Sequence, residues 1–294
     1  MENALKQFTL QNIPQIEATM YELVEKIQAP AHLKESMLYS LKAGGKRIRP
    51  LFVAAVCEMY NQSLEASFTV GSAVEMIHTY SLIHDDLPCM DDDDLRRGKP
   101  TNHVVYGEAL ATLAGDALNT IAFGVIARLN DIPAEKRIEL INLLSVAAGA
   151  EGMVGGQILD MDGEKRLLNL QELETVHVNK TGALLRFSIE SGAVLAGASE
   201  ADRQALVKYA HHIGLAFQIQ DDILDIEGTS EQLGKTAGKD IVSEKSTYPA
   251  LLTLEGAKSK LNEHYELAIE ALNKLEVDVS LLRQFAQYIV RRNN

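Results

Sequence analysis

The sequence predicts an all-α fold, a bundle of about ten helices forming one domain over residues 1–294. Three observations carry that prediction. Alanine, leucine, glutamate and lysine abound, and these are strong helix formers. Alternating runs of β-branched residues, the mark of half-buried strands, are scarce. The seven prolines stand at 14, 30, 50, 88, 100, 133 and 249, so none interrupts the chain between 133 and 249.

The first three helices are expected over 12–28, 31–43 and 50–60, with Pro14, Pro30 and Pro50 at or near their starts, where proline is tolerated. A fourth, 66–87, should break at Pro88, which has no N–H to donate. The next, 103–130, follows Thr101 and Asn102 as candidate caps, and 134–155 follows Pro133. Helices over 171–197, 201–226, 247–273 and 279–292 complete the set. The stretches 105–129 and 183–198 are apolar on nearly every side, as central bundle helices are. Small residues such as Gly192, Ala193, Ala196 and Gly197 would let neighbours pack closely. Between 151 and 164, glycines weaken a helix by up to about 1 kcal/mol each. Two readings stay open there: Gln157 and Asp160 face a cavity, or the chain kinks in a plain capped turn.

Six of the ten residues from Asp85 to Asp94 are aspartate, and Arg96, Arg97 and Lys99 follow. Crowded like charge is costly unless a cation compensates it, and carboxylate oxygens are natural ligands of hard divalent ions. Basic neighbours suit an anion, so the stretch reads as a metal-assisted grip on a diphosphate. The plain alternative is a solvated acidic loop. A second cluster, Asp221, Asp222 and Asp225 in FQIQDDILDIEG, tips the balance. On a helix Asp221 and Asp225 lie about 40° apart on one face. Carboxylates among Phe217, Ile219, Ile223, Leu224 and Ile226 are seldom surface decoration. Asp85 and Asp91 would leave a common face of a regular helix, so a short loop past Pro88 is expected to carry Asp91 back toward Asp85. Two such groups from distant segments imply a clamp on one polyanion.

A net charge of −13 argues against nucleic acid and against an anionic membrane surface as partners. The anionic ligand must be met by local basic residues. GGKRIRP at 44–50 presents Lys46, Arg47 and Arg49 on a flexible turn, without phosphate-loop spacing. An exposed basic turn is the plain alternative. His78 lies seven residues before Asp85 on nearly the same helix face, although a lone histidine is more often structural. Lys180 and Thr181 in NKTG, Lys235 and Lys239 in LGKTAGKD, and Lys245 would supply a second basic set. Cys57 and Cys89 suit a reducing compartment. The N-terminus has no signal pattern and no apolar run approaches the roughly 18 residues of a span. A cytoplasmic protein without stable membrane association is expected.

HDDLPCMDDDDLRRGKP and FQIQDDILDIEG resemble the two aspartate-rich motifs of the trans-isoprenyl diphosphate synthases. GGKRIRP, MIHTYSLIHDD, NKTG, LGK and KSTYPALL match further motifs of that family in the expected sequence, over residues 40–255. The four residues between Asp86 and Asp91 match the bacterial farnesyl and plant-type longer-chain branches, not the eukaryotic farnesyl branch. Within the family the chain looks most like the bacterial farnesyl-forming members.

The resemblance implies a bundle around a deep central cavity, usually a homodimer, that condenses isopentenyl diphosphate head-to-tail with dimethylallyl and geranyl diphosphate. It implies that Asp85, Asp91 and Asp221 bind Mg²⁺, three ions per site, with Asp86, Asp222 and Asp225 in support. Arg96, Lys180, Thr181, Gln218, Lys235 and Lys245 would hold the allylic diphosphate. Lys46, Arg49, His78 and Arg97 would hold the isopentenyl diphosphate. Thr181 and Gln218 would also offer oxygen dipoles to a carbocation. The aromatic Tyr80, five residues before Asp85, would close the floor of the prenyl pocket beside Ser81 and set a fifteen-carbon product. The helical wheel puts Ser81 nearer the Asp85 face and Tyr80 about 140° away, so Tyr80 would have to enter from the flank. Tyr80 as ordinary core is the alternative. Geranyl or geranylgeranyl products are alternatives within the family. A non-catalytic partner subunit would have lost an aspartate motif, a calcium protein would carry the EF-hand spacing, and a terpene cyclase would not need Lys46, Arg49 and His78.

Overall fold

The computed structural model describes residues 3–164, 166–227 and 246–292. They form α1 (Asn3–Glu25), α2 (Ala31–Leu41), α3 (Ile48–Met59), α4 (Glu65–Asp85), α5 (Asn102–Tyr106), α6 (Glu108–Ala127), α7 (Ala134–Ala148) and α8 (Met153–Gly163). After these come α9 (Leu170–His177), a π-helical turn (Val178–Gly182), α10 (Ala183–Ala196) and α11 (Glu200–Glu227). The last two are Tyr248–Leu272, here α12, and Ser280–Arg291, here α13. The strands among the described residues are β1 (Leu95–Arg96) and β2 (Lys99–Pro100), an antiparallel pair with Arg96 opposite Lys99. The all-α expectation holds.

The boundaries depart from expectation where glycine or packing intervenes. Gly107, at φ 82°, splits the expected helix 103–130. The expected helix 134–155 ends at Ala148, where Gly149 turns out of the helical region at ψ −156°, and the tight turn that follows needs Gly152, where a Cβ would fall 2.2 Å from the Ala147 carbonyl oxygen. The π-turn divides 171–197. In the other direction, α1 starts well before residue 12 and carries Pro14 inside it. Its buried stripe of Leu5, Phe8, Ile16, Met20 and Val24 outweighs the roughly 3 kcal/mol that an interior proline costs. Thr101 caps α5 by position, without a side-chain bond to a helix amide; its hydroxyl lies 3.1 Å from His103 Nδ1 instead. Asn102 instead ties α5 to α2: its Oδ1 accepts from Ser36 Oγ at 2.8 Å, and its Nδ2 donates to the Ser36 carbonyl and to Ser40 Oγ.

Two apolar clusters meet on α3 and α10. One gathers α1, α3, α11, α12 and α13, and the other gathers α2, α4, α6 and α7. Helix α10 is buried almost throughout, as its composition predicts. A Cβ on Gly192 would stand 2.7 Å from Val56 Cβ, so that glycine sets how closely α10 approaches α3.

Two sequence expectations need correction. Helix α6 is not central: it packs on α2, α4, α5 and α7 and leaves Leu113 exposed. Nor does the chain lack an apolar run of span length. Glu108–Ala127 is long and apolar enough, with mean hydropathy 1.5 and 39% of that window buried. Ala134–Gly163 also passes by composition, but it is two helices separated by the turn after Ala148. Cys57 is buried, Cys89 is exposed, and both are free thiols.

Candidate active site

Helix α4 ends at Asp85, and the chain folds back past Pro88 as expected. The Asp91 amide donates to the Asp85 carbonyl at 2.8 Å, and the Met90 and Asp92 amides donate to the Leu87 carbonyl. Asp85 is thereby held beside Asp91. Burial, reinforced by Asp91 and opposed by Lys180, pushes the Asp85 carboxyl up to about 6. Asp86 is buried and clamped by Arg96 from the β1–β2 hairpin, whose Nε reaches both carboxylate oxygens at 2.8 and 2.9 Å. Arg96, expected on a diphosphate, is thus held by Asp86 and is not among the residues lining the three pockets described below.

The second cluster lies on α11. Asp221 faces a cavity, and Asp222, which is buried, accepts the Tyr248 amide at 2.9 Å and so fixes the start of α12. Asp225 is buried and is not among the residues lining that cavity. Arg292, just past α13, donates to Asp221 Oδ1 at 2.6 Å and to the Phe217 carbonyl at 3.0 Å. Its guanidinium lies 3.9 Å from the Phe217 ring centroid, and Gln220 Nε2 donates to its carbonyl. Sequence reasoning missed Arg292. The only available signal was a cation following an amphipathic last helix.

Lys180 and Thr181 sit on the π-turn, a geometry that often marks functional sites. Two glycines bracket it. A Cβ on Gly156 of α8 would lie 2.2 Å from the Lys180 amide nitrogen, and one on Gly214 of α11 would lie 3.3 Å from Gly182 Cα. Lys180 Nζ donates to Asp160 Oδ2 at 2.6 Å. Of the two readings of 151–164, the cavity is the one found: Gln157 and Asp160 line adjoining pockets.

Three pockets share walls. The first, about 360 Å³, is polar and lined by Asp160, Lys180, Thr181, Gln218, Asp221 and Asp222. The second, about 460 Å³, also reaches Lys180 and Thr181 and runs between α4 and α8 past Asp85, Tyr80, Ser81, Met153, Ile158 and Met161. The third, about 470 Å³, meets the second at Arg49 and His78 and is lined further by Lys46, Arg97 and Phe217. Tyr80 does enter the second pocket, despite the helical wheel, and is nearly buried. Burial, and to a lesser extent Asp85, raise its hydroxyl above its ordinary value.

The third pocket is basic, and it changes one sequence reading. Arg47 does not stand on an exposed turn: it is buried, donating to Glu75 at 2.8 Å and to Glu17 at 3.0 Å. Arg49, which lines this pocket, keeps a buried Nε with no hydrogen-bond partner among the described residues. Burial lowers Arg49, Arg97, Lys46 and His78, and His78 is held well below its usual range by burial and then by Arg49, Arg97, Arg96 and Arg47. Arg97 lies over Gly45, where a Cβ would stand 2.7 Å from its guanidinium. Lys235 and Lys245 lie outside the described residues.

The donors fit a hard cation: carboxylate oxygens from two segments that line adjoining pockets, one of them the half-buried Asp85, whose raised carboxyl gains from positive charge. Among the described residues no three histidine, cysteine or acidic groups converge into a self-contained metal site.

The family described as Polyprenyl synthetase matches residues 30–282. A farnesyl diphosphate synthase of Bacillus subtilis is 52% identical, covering 100% of both chains. A geranylgeranyl diphosphate synthase of Cyanophora paradoxa is 46% identical, covering 90% of this chain and 89% of its own. A crystal structure of an FPP/GFPP synthase from Zymomonas mobilis superposes with a TM-score of 0.87 at 39% identity, covering 99% of this chain and 100% of its own.

Proposed function

This chain belongs to the polyprenyl synthetase family, and from that premise we propose that it condenses isopentenyl diphosphate with dimethylallyl and then geranyl diphosphate to give farnesyl diphosphate. The observation that carries the reading is that one pocket shares walls with both others, through Lys180 and Thr181 on one side and Arg49 and His78 on the other. A polar site for one diphosphate and a basic site for another both open onto one channel with apolar walls.

Asp85 and Asp91 on one side, and Asp221 and Asp222 on the other, would hold Mg²⁺ together with the allylic diphosphate. When bound, Mg²⁺ neutralises charge developing on the leaving diphosphate. Lys180, fixed by Asp160, and Thr181 and Gln218 face the same anion; Arg96, Lys235 and Lys245 are proposed to join them. The allylic C–O bond breaks and its electron pair leaves with the diphosphate. Lys46, Arg49, His78 and Arg97 hold isopentenyl diphosphate so that its double bond attacks the allylic carbon. A proton then leaves the adjacent carbon for the departed diphosphate. The buried Met153 and Leu184 give the cation a dry apolar wall, and Ile158 and Met161 line the more open side.

Relatives of similar identity carry both farnesyl and geranylgeranyl names, so product length is argued from the channel, where Tyr80 and Ser81 stand beyond the reacting end. We also assign the protein to a single domain, a homodimer and the cytoplasm. The dimer accounts for the apolar face around Val104, Val105 and Leu113, which are 49%, 46% and 56% exposed. Incubation with labelled isopentenyl diphosphate, each allylic starter and Mg²⁺, followed by chromatographic sizing, tests the activity. Farnesyl diphosphate as the main product supports it; no incorporation refutes it.

A further inference from the structure

We infer that His84 helps to set product length by pinning Tyr80, and that its seat exists because residue 115 is glycine. The inference rests on the farnesyl-forming reading above and on Tyr80 as the channel floor. Tyr80 and His84 are one turn apart on α4 and both line the channel. Their ring centroids are 5.6 Å apart and their planes meet at 77°, an edge-to-face contact.

His84 is itself held from behind. Its Nε2 lies 3.0 Å from the Thr112 carbonyl oxygen on α6, so in the neutral ring that nitrogen carries the proton and donates. Asp116 Oδ1 stands 3.9 Å away on the same helix. A Cβ on Gly115 would lie 2.2 Å from His84 Nε2 and 2.5 Å from Cδ2. No side chain larger than hydrogen fits there without moving the imidazole. A single tyrosine ring blocks a growing chain only if it cannot swing aside. On this geometry the imidazole occupies the space into which the Tyr80 ring would turn, and α6 holds the imidazole. Tyr80 touches the prenyl tail; His84 acts through Tyr80 and is a positioning residue.

The test is the product distribution from geranyl diphosphate and labelled isopentenyl diphosphate, with folding of each variant checked by thermal melting. Tyr80→Ala tests the floor itself. His84→Ala, and His84→Asn, which removes the ring while keeping a donor, should each raise the ratio of twenty-carbon to fifteen-carbon product by about tenfold or more. His84→Phe, which restores a ring against Tyr80, should return the ratio toward wild type. Gly115→Ala, which drives the imidazole toward Tyr80, should shift product the other way, toward ten carbons from dimethylallyl diphosphate. A loss of turnover from general damage would not sort variants by ring and direction in this way. If Tyr80→Ala lengthens product while His84→Ala and His84→Asn do not, the buttress is wrong and the floor stands. If none of the three lengthens product, both the buttress and the Tyr80 floor are wrong.

Discussion

Asp85 and Asp221 owe their importance to opposite environments. Asp85 is held against burial, which favours its protonated form, so a cation gains most by sitting beside it. Asp221 is half-exposed and already compensated by Arg292. Alanine at either position removes ligand oxygens from one side of the proposed clamp. Steady-state turnover with saturating Mg²⁺ should fall about 10³-fold or more in Asp85→Ala and in Asp221→Ala. Wild-type rates in either would remove that residue from catalysis. Arg47 teaches the reverse lesson, since its motif position beside Lys46 and Arg49 made it look like a ligand. Its side chain is 1% exposed and pairs with Glu75, which is 4% exposed. Arg47→Met should therefore cost about 3–5 kcal/mol of stability by leaving a buried carboxylate alone, and Arg47→Met/Glu75→Leu should recover part of it. Urea denaturation of the three proteins measures both quantities. The partner of a buried charge is a tertiary fact, and nothing within the seven residues of GGKRIRP names Glu75.

The elements show how far periodicity reaches. Composition and proline spacing are enough for the all-α class, and the two aspartate motifs and NKTG place most of the site. The split at Gly107 was invisible because the segment keeps helical composition across it, whereas the glycines after 151 signalled a weak point without fixing where the helix would end. The π-turn likewise adds no residue type that a regular helix would reject. What holds it is the missing side chain at Gly156, against the Lys180 backbone. Gly156→Ala should displace the turn, cost about 1–3 kcal/mol by overpacking, and lower turnover more than it raises KM. An unchanged melting temperature and rate would show that α8 yields freely. A second element-scale feature joins α11 to α12, where His212 Nδ1 and His264 Nδ1 are 3.1 Å apart. One donates and the other accepts, an arrangement that double protonation destroys. Burial first, and then the charge of His211 on His212 and of His212 on His264, lowers both to about 4 from 6.5. The unfolded chain then binds more protons between those values, so the stability from this pair is full above pH 6.5 and is lost as pH falls toward 4. His264→Gln, which gives His212 a neutral acceptor, should flatten the fall in melting temperature between pH 7 and 5. A slope equal to wild type would exclude the pair as its source.

At the scale of the whole molecule, one apolar surface remains to be accounted for. Helix α6 has the hydropathy of a core helix, yet only 39% of its apolar window is buried. Its inner side meets α4 through Ala111, Ala114, Leu118 and Ala122, and its outer side leaves Leu113 at 56% exposure next to Val104 and Val105 of α5. Such a contiguous apolar face is costly in water and marks a candidate interface. A second copy meeting it through the same patch satisfies both helices by two-fold symmetry. The same helix carries Thr112 and Gly115, which seat His84 beside the prenyl channel, so the proposed interface and the channel floor lie on opposite sides of one helix. Leu113→Lys places a charge at the centre of the face without touching the channel. Sedimentation should show a dimer for the wild type and a monomer for the variant at micromolar concentration. The monomer should melt at a lower temperature, and its product length should broaden as α6 loses its outer support. A Leu113→Lys protein that still sediments as a dimer would mean that copies join through a different surface.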